Sequence, residues 1–420
     1  MEIMKSRPGE SLATFSRRAH RHARGTAVML FLTPQDTLQE AARRMHEAFS
    51  ESMTLGLESV RIFDGDHLDE DRMMLFLFGK EDPDILADAM LLENISEAPV
   101  QYVLEVQRKV CGLGVANMDT VCLEFCTNSE GKLVTTLTAM LAPLGVPLFG
   151  GTAFHTDVMV KDPLTVRFQV AWQGRVYEDA CIALFLKNLH GRAMLFREIF
   201  YAARPGAPMH LATKVDLQTR RLIELDDRPA ADVYSEETGI GKDRILEHVL
   251  DRPIGRMLGS EVFVISMRGV EPDGSVSTVK TVNLNDAIYI LDSEDYDRIA
   301  QETSERICRE VPHRMFVFTI ECYHRYQYYE RHGITEQVVC ARSASLGSYY
   351  GAVSGGEQLR GQNANQTGLF LVFEGEEGTK FETTTVANID LPAWQTSHTE
   401  CGENQYEQYE KVMWLQPRCL

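Results

Sequence analysis

The residues VCLEFC at 121–126 begin a stretch that has the composition of a strand, a helix and a second strand. The short apolar run favours a buried strand, the amphipathic segment 129–141 favours a helix, and residues 146–149 favour another strand. The stretch ends on Gly150 and Gly151. A diglycine after a strand lets the backbone adopt positive φ or approach another group closely. The pattern therefore predicts a strand–helix–strand unit that ends at one edge of a sheet.

The same order of elements occurs a second time. The residues MFVFTI at 315–320 are followed by a longer helical region, by GAV at 351–353 and by Gly355 and Gly356. Two copies predict a mixed α/β fold with two related halves, each a mixed sheet with flanking helices. Facing each other, the two units would frame a cleft. Either glycine pair taken alone is also consistent with a tight turn and nothing more.

The composition limits the class of protein. The chain has 420 residues, of which 44% are hydrophobic and 25% charged, and this is typical of a globular protein with two or three domains. With 42 Lys and Arg against 61 Asp and Glu, the formal net charge is −19. Because such a surface repels phosphate backbones, nucleic acid is not expected as a partner.

The apolar runs and the cysteines indicate the compartment. No apolar run approaches the roughly 18–20 residues that span a bilayer, and no secretory signal pattern follows the basic N-terminal region. We therefore expect a cytoplasmic protein without membrane insertion. The nine cysteines lack the dense spacing of a disulfide scaffold, so we expect reduced and mostly buried thiols.

The rest of the chain is predicted to alternate between helices and strands. Residues 203–208, which contain Pro205 and Gly206, are predicted to be a linker. The predicted domains are 25–205, 206–375 and a polar tail or flap at 376–420. The other predicted elements are strands at 27–32, 73–78, 222–225, 262–267 and 287–291, a hairpin of 165–172 with 175–186, and helices at 36–50, 83–111, 230–237 and 293–311.

Two motifs resemble functional sites but lack a required residue. Cys122 and Cys126 lie on one face of a strand, but no second pair follows at the spacing of a zinc site, so we interpret them as core residues. Ser354 precedes a diglycine, yet Ala352 stands where a nucleophile elbow needs glycine. The sequence therefore predicts no metal site and does not support a hydrolase.

A polar group of residues follows the second diglycine. It contains Glu357, Gln358 and residues 363–367, and Glu321 and Arg325 leave the preceding strand. A guanidinium binds a carboxylate through two hydrogen bonds and a carboxylate binds an amine, so this set suits a small zwitterion. The same residues would be equally ordinary as surface polar groups.

Four sequence motifs resemble those of FIST proteins, in the order and spacing of the two halves of that family. They are FGGTA at 149–153, DDRPAADVY at 226–234, RPIGR at 252–256, and GGEQ at 355–358 with NQT at 365–367. The resemblance implies an intracellular sensory module with FIST N-like and C-like halves that binds small ligands such as amino acids. Where the family tends to have Asn-Cys, this chain has Glu321 and Cys322, while Arg325 keeps a basic residue that often follows.

The leading hypothesis is a non-enzymatic sensor that closes on a small polar ligand between its two halves. The chain carries no recognisable kinase, cyclase or methyl-accepting segment, so the signal would pass to a separate output protein or through homo-oligomerisation. Glu357, Arg325 and Asn365 are expected to contribute most of the recognition. The predicted ligand-binding residues are Gly150, Gly151, Thr152, Glu321, Arg325, Gly355, Gly356, Glu357, Gln358, Asn365 and Thr367.

Three alternatives remain open at this point. Some members of the family are haem-binding nitric oxide sensors, and His155 and His324 are the candidate axial ligands, although no cofactor is expected in the leading hypothesis. An enzyme acting on an amino acid or peptide would use Cys322 as nucleophile, with His324 or Glu321 as base. An interaction protein with an acidic surface would bind no small ligand.

Overall fold

The computed structural model describes residues 1–377, except residues 24, 82, 117, 128–130 and 160–165. The predicted tail therefore lies outside the described residues from 378 onward, as do the first residues of the segments predicted at 129–141 and 165–172. The predicted mixed α/β class is confirmed. Among the described residues, no helix is long and apolar enough to cross a membrane.

The first structural unit occupies residues 2–79. Its strands β2 and β3 are parallel and joined by a helix, and its last strand β6 is antiparallel to β2. A short hairpin, β4 and β5, lies between β3 and β6. The bounds are β1 Glu2–Lys5, α1 Leu12–His22, β2 Thr26–Pro34, α2 Leu38–Ala48, β3 Met53–Ser59, β4 Ile62–Gly65, β5 Leu68–Asp69 and β6 Met74–Gly79.

The second unit repeats this order over residues 85–188. Parallel strands β8 and β9 flank a helix, a hairpin follows, and β12 is antiparallel to β8. The bounds are β7 Ile85–Glu93, α3 Val103–Gly112, β8 Thr120–Cys126, α4 Gly131–Leu141, β9 Leu148–Thr152, β10 Val170–Trp172, β11 Arg175–Tyr177 and β12 Ala180–Asn188, with 3₁₀ turns at Pro99–Tyr102, Ala142–Leu144 and Thr156–Met159.

The third unit begins with β13 (Ala193–Glu198) and is then interrupted by a nine-stranded sheet, which we call the inserted sheet. The inserted sheet contains β14 Tyr201–Ala203, β15 His210–Asp216, β16 Arg221–Leu225, β17 Arg228–Pro229, β18 Ile254–Leu258, β19 Glu261–Ile265, β20 Met267–Val270, β21 Val276–Thr278 and β22 Ala287–Ser293, with helix α5 Ala230–Thr238 and a 3₁₀ segment Lys242–His248.

After the inserted sheet, the third unit resumes in the same order as the other two. Strands β23 and β24 are parallel, a hairpin follows, and β27 is antiparallel to β23. The bounds are α6 Tyr296–Glu310, β23 Arg314–Cys322, α7 Tyr323–His332, α8 Thr335–Leu346, β24 Tyr349–Ser354, β25 Glu357–Leu359, β26 Gln362–Ala364 and β27 Gly368–Glu374.

Each hairpin pairs with the sheet of a different unit. Strand β10 of the second unit pairs with β3, β25 of the third unit pairs with β9, and β4 of the first unit pairs with β24. The three resulting sheets have equivalent strand orders, β1-β6-β2-β3-β10-β11, β7-β12-β8-β9-β25-β26 and β13-β27-β23-β24-β4-β5. Backbone hydrogen bonds therefore close the three units into a ring.

The three sheets share one hydrophobic core. Leu30, Leu123 and Phe318, each on the first strand of a parallel pair, are at most 2% exposed and belong to the same core cluster. The opposite face of each sheet packs on the helices of its own unit, in three separate clusters. The inserted sheet has a core of its own. This two-sided burial explains why the strands read as nearly continuous apolar runs.

The structure adds a third copy to the two that the sequence indicated. The first unit was missed because β3 ends at Glu58 and Ser59 and lacks a diglycine. The predicted linker at 203–208 lies within the inserted sheet, between β14 and β15.

Two local predictions were wrong. Residues 83–111 include strand β7, because pairing with all nine residues of β12 outweighs the helical propensity of that segment. The predicted hairpin at 165–186 is the short pair of β10 and β11, and β12 is a separate strand. Of the seven cysteines among the described residues, four are buried, Cys308 is partly buried, and Cys111 and Cys340 are exposed.

Gly150 is required by the parallel pairing of β8 and β9. It lies beside Glu124, and a Cβ atom at position 150 would overlap the Glu124 carbonyl oxygen and lie 2.8 Å from the Glu124 carboxyl carbon. We expect Gly150→Ala to lower the free energy of unfolding by about 1–3 kcal/mol or more, because the backbone must shift to admit the methyl group.

Urea unfolding followed by circular dichroism measures this effect. The control is Gly112→Ala at the end of α3, where a Cβ atom would have nothing within 4 Å. This control should leave the unfolding midpoint unchanged or slightly raised, since alanine favours helix. Equal midpoints for the two variants would contradict the predicted close approach.

Candidate functional site

The two diglycines meet at the contact between the second and third units. Strand β25 pairs antiparallel with β9, so that Glu357 lies opposite Gly151 and Gln358 opposite Gly150. The pairing continues past the strand ends, because Thr152 N donates to Gly356 O and Gly355 N donates to Thr152 O, both at 2.9 Å. The glycine pairs are therefore hydrogen-bonded neighbours and do not face each other across an open cleft.

Buried polar side chains surround this pairing. We call the set the junction cluster, and each of its members is at most 4% exposed. Most are the last residues of β9 and β24, lie on β25 or follow β26, whereas one lysine comes from the loop after β21 of the inserted sheet. The members are Thr152, Lys280, Ser354, Glu357, Gln358, Asn365 and Thr367.

Two hydroxyl groups organise the hydrogen bonds of the junction cluster. The Thr152 hydroxyl accepts from Lys280 Nζ at 2.7 Å and from Gln358 Nε2 at 2.8 Å. The Ser354 hydroxyl donates to Glu357 Oε1 at 2.9 Å, and the other carboxylate oxygen accepts from Thr367 N at 3.3 Å. Equivalent strand ends of the second and third units thus supply the hydroxyls that hold Lys280 and Glu357.

Two polar atoms of the junction cluster have no hydrogen-bond partner among the described residues, and both are buried. They are the acceptor Gln358 Oε1 and the donor Asn365 Nδ2. Asn365 Oδ1, in contrast, accepts from Ser266 N at 3.1 Å. A Cβ atom at Gly356 would lie 2.5 Å from Lys280 Cε and 2.7 Å from Asn365 Nδ2, so the ammonium stem and the open donor lie side by side. An unsatisfied buried polar atom costs about 1–3 kcal/mol, which indicates a place for a ligand or an ordered water.

The Glu357 carboxyl is held largely in its neutral form at neutral pH. Burial raises its pKa from 4.5 to about 8, while the Ser354 hydrogen bond, the Lys280 charge and the Thr367 N–H act in the opposite direction. A protonated carboxyl can donate a hydrogen bond as well as accept one. Glu357 can therefore interact with either end of a zwitterion.

A second buried polar set consists of Glu198, Glu321, Arg325 and Arg342, which we call the ion tetrad. All four side chains are at most 1% exposed. Arg325 Nε donates to Glu321 Oε2 at 3.1 Å and Arg342 Nη2 donates to Glu198 Oε1 at 2.5 Å. Close ion pairs also join Arg325 to Glu198 and Arg342 to Glu321. Each arginine thus contacts both carboxylates.

Aromatic residues enclose the ion tetrad. Tyr329 OH donates to Glu321 Oε2 at 2.7 Å, and Arg342 donates to Tyr296 OH at 2.7 Å. Burial raises the pKa of Glu198, but the charges and hydrogen bonds of the two arginines outweigh it and hold this pKa below its ordinary value. The tetrad joins β13, β23, α7 and α8, and it has the geometry of a structural charge network.

The structure separates the predicted ligand-binding residues into two groups. Glu321 and Arg325 belong to the ion tetrad, where their charged groups already have partners. The others lie in or beside the junction cluster: Gly150, Gly151, Thr152, Gly355, Gly356, Glu357, Gln358, Asn365 and Thr367. Their role in binding stays a prediction. Lys280 was missed, because a single lysine in the alternating segment 276–282 carries no local signal of burial.

The junction cluster is connected to the inserted sheet. Asn365 N donates to Val264 O at 3.0 Å, in addition to the contact of Asn365 Oδ1 with Ser266 N. Gln366 Nε2 donates to Val249 O and to Ser266 Oγ, and its side-chain oxygen accepts from Tyr201 OH. A displacement of residues 365–367 would therefore alter hydrogen bonds to the inserted sheet directly.

The residues named for the enzyme and haem hypotheses, Cys322, His324 and His155, lie in positions that suit those roles less well. Cys322 ends β23 whereas His324 lies on α7, so the candidate nucleophile and base do not lie on one strand. Burial raises the Cys322 pKa to about 12, which opposes formation of a nucleophilic thiolate. His155 accepts from Asp157 N at 3.1 Å, and its other ring nitrogen lies 3.3 Å from Asp36 Oδ1.

Both parts of the chain match models of known domains. The FIST N domain model matches residues 26–228 and the FIST C domain model matches residues 230–360. No curated protein matched the chain. Among solved structures, the cyanuric acid hydrolase from A. caulinodans is similar with a TM-score of 0.36 and 8% identity, over 89% of this chain and 99% of that chain. Another cyanuric acid hydrolase structure has a TM-score of 0.32 and 10% identity over the same shares. At these TM-scores the likeness supports no conclusion about activity.

The ion tetrad predicts a large effect of removing one charge. Arg342→Met should lower the free energy of unfolding by about 3–5 kcal/mol, because it leaves an uncompensated carboxylate in the interior. Urea unfolding followed by tryptophan fluorescence measures it. The control is Arg43→Met, which removes an exposed pair with Glu47 on α2 and should cost no more than about 0.5 kcal/mol. Similar losses in the two variants would contradict the assignment of a buried network.

The raised pKa of Glu357 predicts a pH dependence. Between about pH 5 and pH 8 the folded protein retains a proton that the unfolded chain releases, so this group lowers the free energy of unfolding as pH rises. Glu357→Gln removes this contribution. The melting temperature of the wild type should therefore fall relative to that of the variant as pH increases through this range.

Differential scanning calorimetry at several pH values checks this prediction. The control Glu105→Gln changes an exposed carboxylate on α3 and should follow the wild type at every pH. A difference between wild type and Glu357→Gln that does not vary with pH would show that Glu357 is ionised throughout.

Proposed function

The chain belongs to the FIST family, whose domains are sensory domains of signal transduction, and we propose that it senses a small zwitterionic metabolite, such as an amino acid, at the junction cluster. The observation that carries the proposal is a pair of buried atoms without a hydrogen-bond partner among the described residues, Gln358 Oε1 and Asn365 Nδ2. The second of these atoms lies near the Lys280 stem.

These groups match the two ends of an amino acid. A carboxylate accepts hydrogen bonds from Lys280 and from Asn365 Nδ2, and an ammonium group donates to Gln358 Oε1. The neutral Glu357 carboxyl can bind either end of the ligand, since it can donate a hydrogen bond to the carboxylate or accept one from the ammonium group. The ligand supplies the partners that the described residues do not provide, and it removes the cost of two unsatisfied atoms.

In this proposal Lys280 supplies the positive charge that the sequence assigned to Arg325. The Arg325 guanidinium is already hydrogen-bonded to Glu198 and Glu321, and its release would leave buried charges unpaired. Arg325 instead has an electrostatic effect on the site, because its positive charge is one of the factors that oppose the rise of the Glu357 pKa.

Signalling follows from the position of the site between the ring of three units and the inserted sheet. Lys280 lies in the loop after β21 of the inserted sheet, and Asn365 is hydrogen-bonded to Val264 of β19 and to Ser266, which follows β19. A ligand that contacts both sides stabilises the arrangement in which they are closely joined, and it shifts the population toward that state. A separate output protein, or a second copy of the chain, reads the change.

Ligand entry requires a transient opening, because every member of the junction cluster is buried. The segment 363–367 and the loop that carries Lys280 are the parts that separate to admit the ligand. Local opening of this kind has a free energy below that of global unfolding. Binding is therefore slower than diffusion allows and stabilises the closed state.

A thermal-shift screen tests the proposal with amino acids, small carboxylates, amines and haem. A ligand that binds only the folded protein adds about 2.7 kcal/mol of stability at a concentration of 100 times its Kd. We expect a selective rise in melting temperature with one class of amino acid and a smaller rise with the matching carboxylate or amine alone. A rise with haem alone supports a haem sensor, and no rise with any compound supports an interaction protein.

Two variants locate the site. Lys280→Met keeps the apolar stem, and Asn365→Asp keeps the acceptor for Ser266 N while it removes the open donor. Each should weaken binding by at least about tenfold, or ~1.4 kcal/mol. The control Lys214→Met changes a lysine of the inserted sheet whose side chain is 58% exposed, and it should bind as the wild type does. Undiminished binding by both site variants would contradict the location.

A further inference from the structure

A group of metal-binding residue types lies on the helix-facing side of the second unit's sheet. Glu124 and Cys126 come from β8 and Cys181 from β12, and all three are buried. Their ligand atoms lie within 4.8 Å of one another. Cys126 Sγ is 2.5 Å and Cys181 Sγ 3.4 Å from Glu124 Oε2. Two thiols therefore converge on one carboxylate oxygen.

Strand geometry produces this convergence. Residues 124 and 126 point to the same face of β8 because side chains alternate along a strand. Cys126 and Cys181 are directly paired in the antiparallel register of β8 and β12. Gly150, on the neighbouring strand β9, leaves room for the Glu124 side chain, since a Cβ atom there would lie within 2.8 Å of its carboxyl carbon.

The surroundings are apolar. Cys122, Cys126 and Cys181 belong to one core cluster with residues of α3 and α4 such as Val106 and Leu137. Thiols are weak donors, but as thiolates they are strong ligands for soft and borderline metal ions.

We propose that Glu124, Cys126 and Cys181 form a structural site for a divalent metal ion of the zinc type. Cysteine thiolates and glutamate carboxylates are both zinc ligands in proteins, and Cys122, two residues before Glu124 on the same face, is the next donor available for a fourth position. Binding releases the thiol protons to solvent, so that the ion replaces the thiol–carboxylate hydrogen bond present without it.

This site is independent of the junction cluster. Gly150 and Gly151 are adjacent, but their Cβ directions lead to opposite faces of the sheet, toward Glu124 and toward Ile320 and Ser354 respectively. Cysteine spacing in the sequence could not reveal the site, because Cys181 follows Glu124 by 57 residues and reaches it only through strand pairing.

Elemental analysis of the purified full-length protein tests the proposal. After dialysis against a weak chelator we expect about one zinc ion per chain, as in a closed structural site. Refolding in the presence of Co²⁺ should give the near-ultraviolet absorption of cobalt–thiolate bonds. The absence of stoichiometric zinc together with the absence of this absorption would overturn the proposal.

Two serine substitutions identify the ligands. Cys126→Ser and Cys181→Ser should each lose the cobalt–thiolate absorption or reduce it strongly, whereas Cys340→Ser, which changes an exposed cysteine on α8, should keep it in full. Should either variant fail to fold, Cd²⁺ protection of the wild-type thiols from alkylation, mapped by mass spectrometry, identifies the same residues. Protection of other cysteines, or full absorption in both variants, would overturn the assignment. Unchanged amino-acid binding by a metal-free protein would leave the proposed sensor intact.

Discussion

Backbone pairing between units is the constraint on which the rest of the structure depends. Each hairpin completes the sheet of another unit, so no unit has a finished sheet by itself. At the contact of β9 with β25, this pairing brings two strand ends together and buries the polar residues that follow them. A buried polar residue needs a partner, and for Gln358 that partner is Thr152 across the contact. The same geometry that closes the ring therefore creates a polar interior.

The two buried polar sets have different physical character. In the ion tetrad, two arginines face two glutamates with tyrosine hydroxyls around them, and the formal charges balance. The junction cluster has one lysine, a glutamate with a raised pKa and two open amide atoms. A balanced network stabilises one arrangement of strands and helices. A network with unsatisfied atoms is stabilised further when a ligand forms hydrogen bonds with them. We therefore assign a structural role to the ion tetrad and ligand recognition to the junction cluster.

The sequence predicted those parts of the molecule that have local signals. Diglycines after apolar strands are such a signal, and residues 149–152 do lie beside residues 355–358. Lys280, Glu198 and Arg342 could not be predicted as buried, since each is an ordinary charged residue whose surroundings arise from distant segments. Strand β7 was read as helix for the same reason, because only its pairing with β12 makes it a strand.

The position of the ligand is the central claim, and a crystal structure of the full chain grown with the most stabilising amino acid tests it most directly. We predict ligand density within hydrogen-bonding distance of Lys280 Nζ, Gln358 Oε1 and Asn365 Nδ2, between the third unit and the inserted sheet. Density for the amino acid at any other place, with these three atoms arranged as they are without it, would contradict the account.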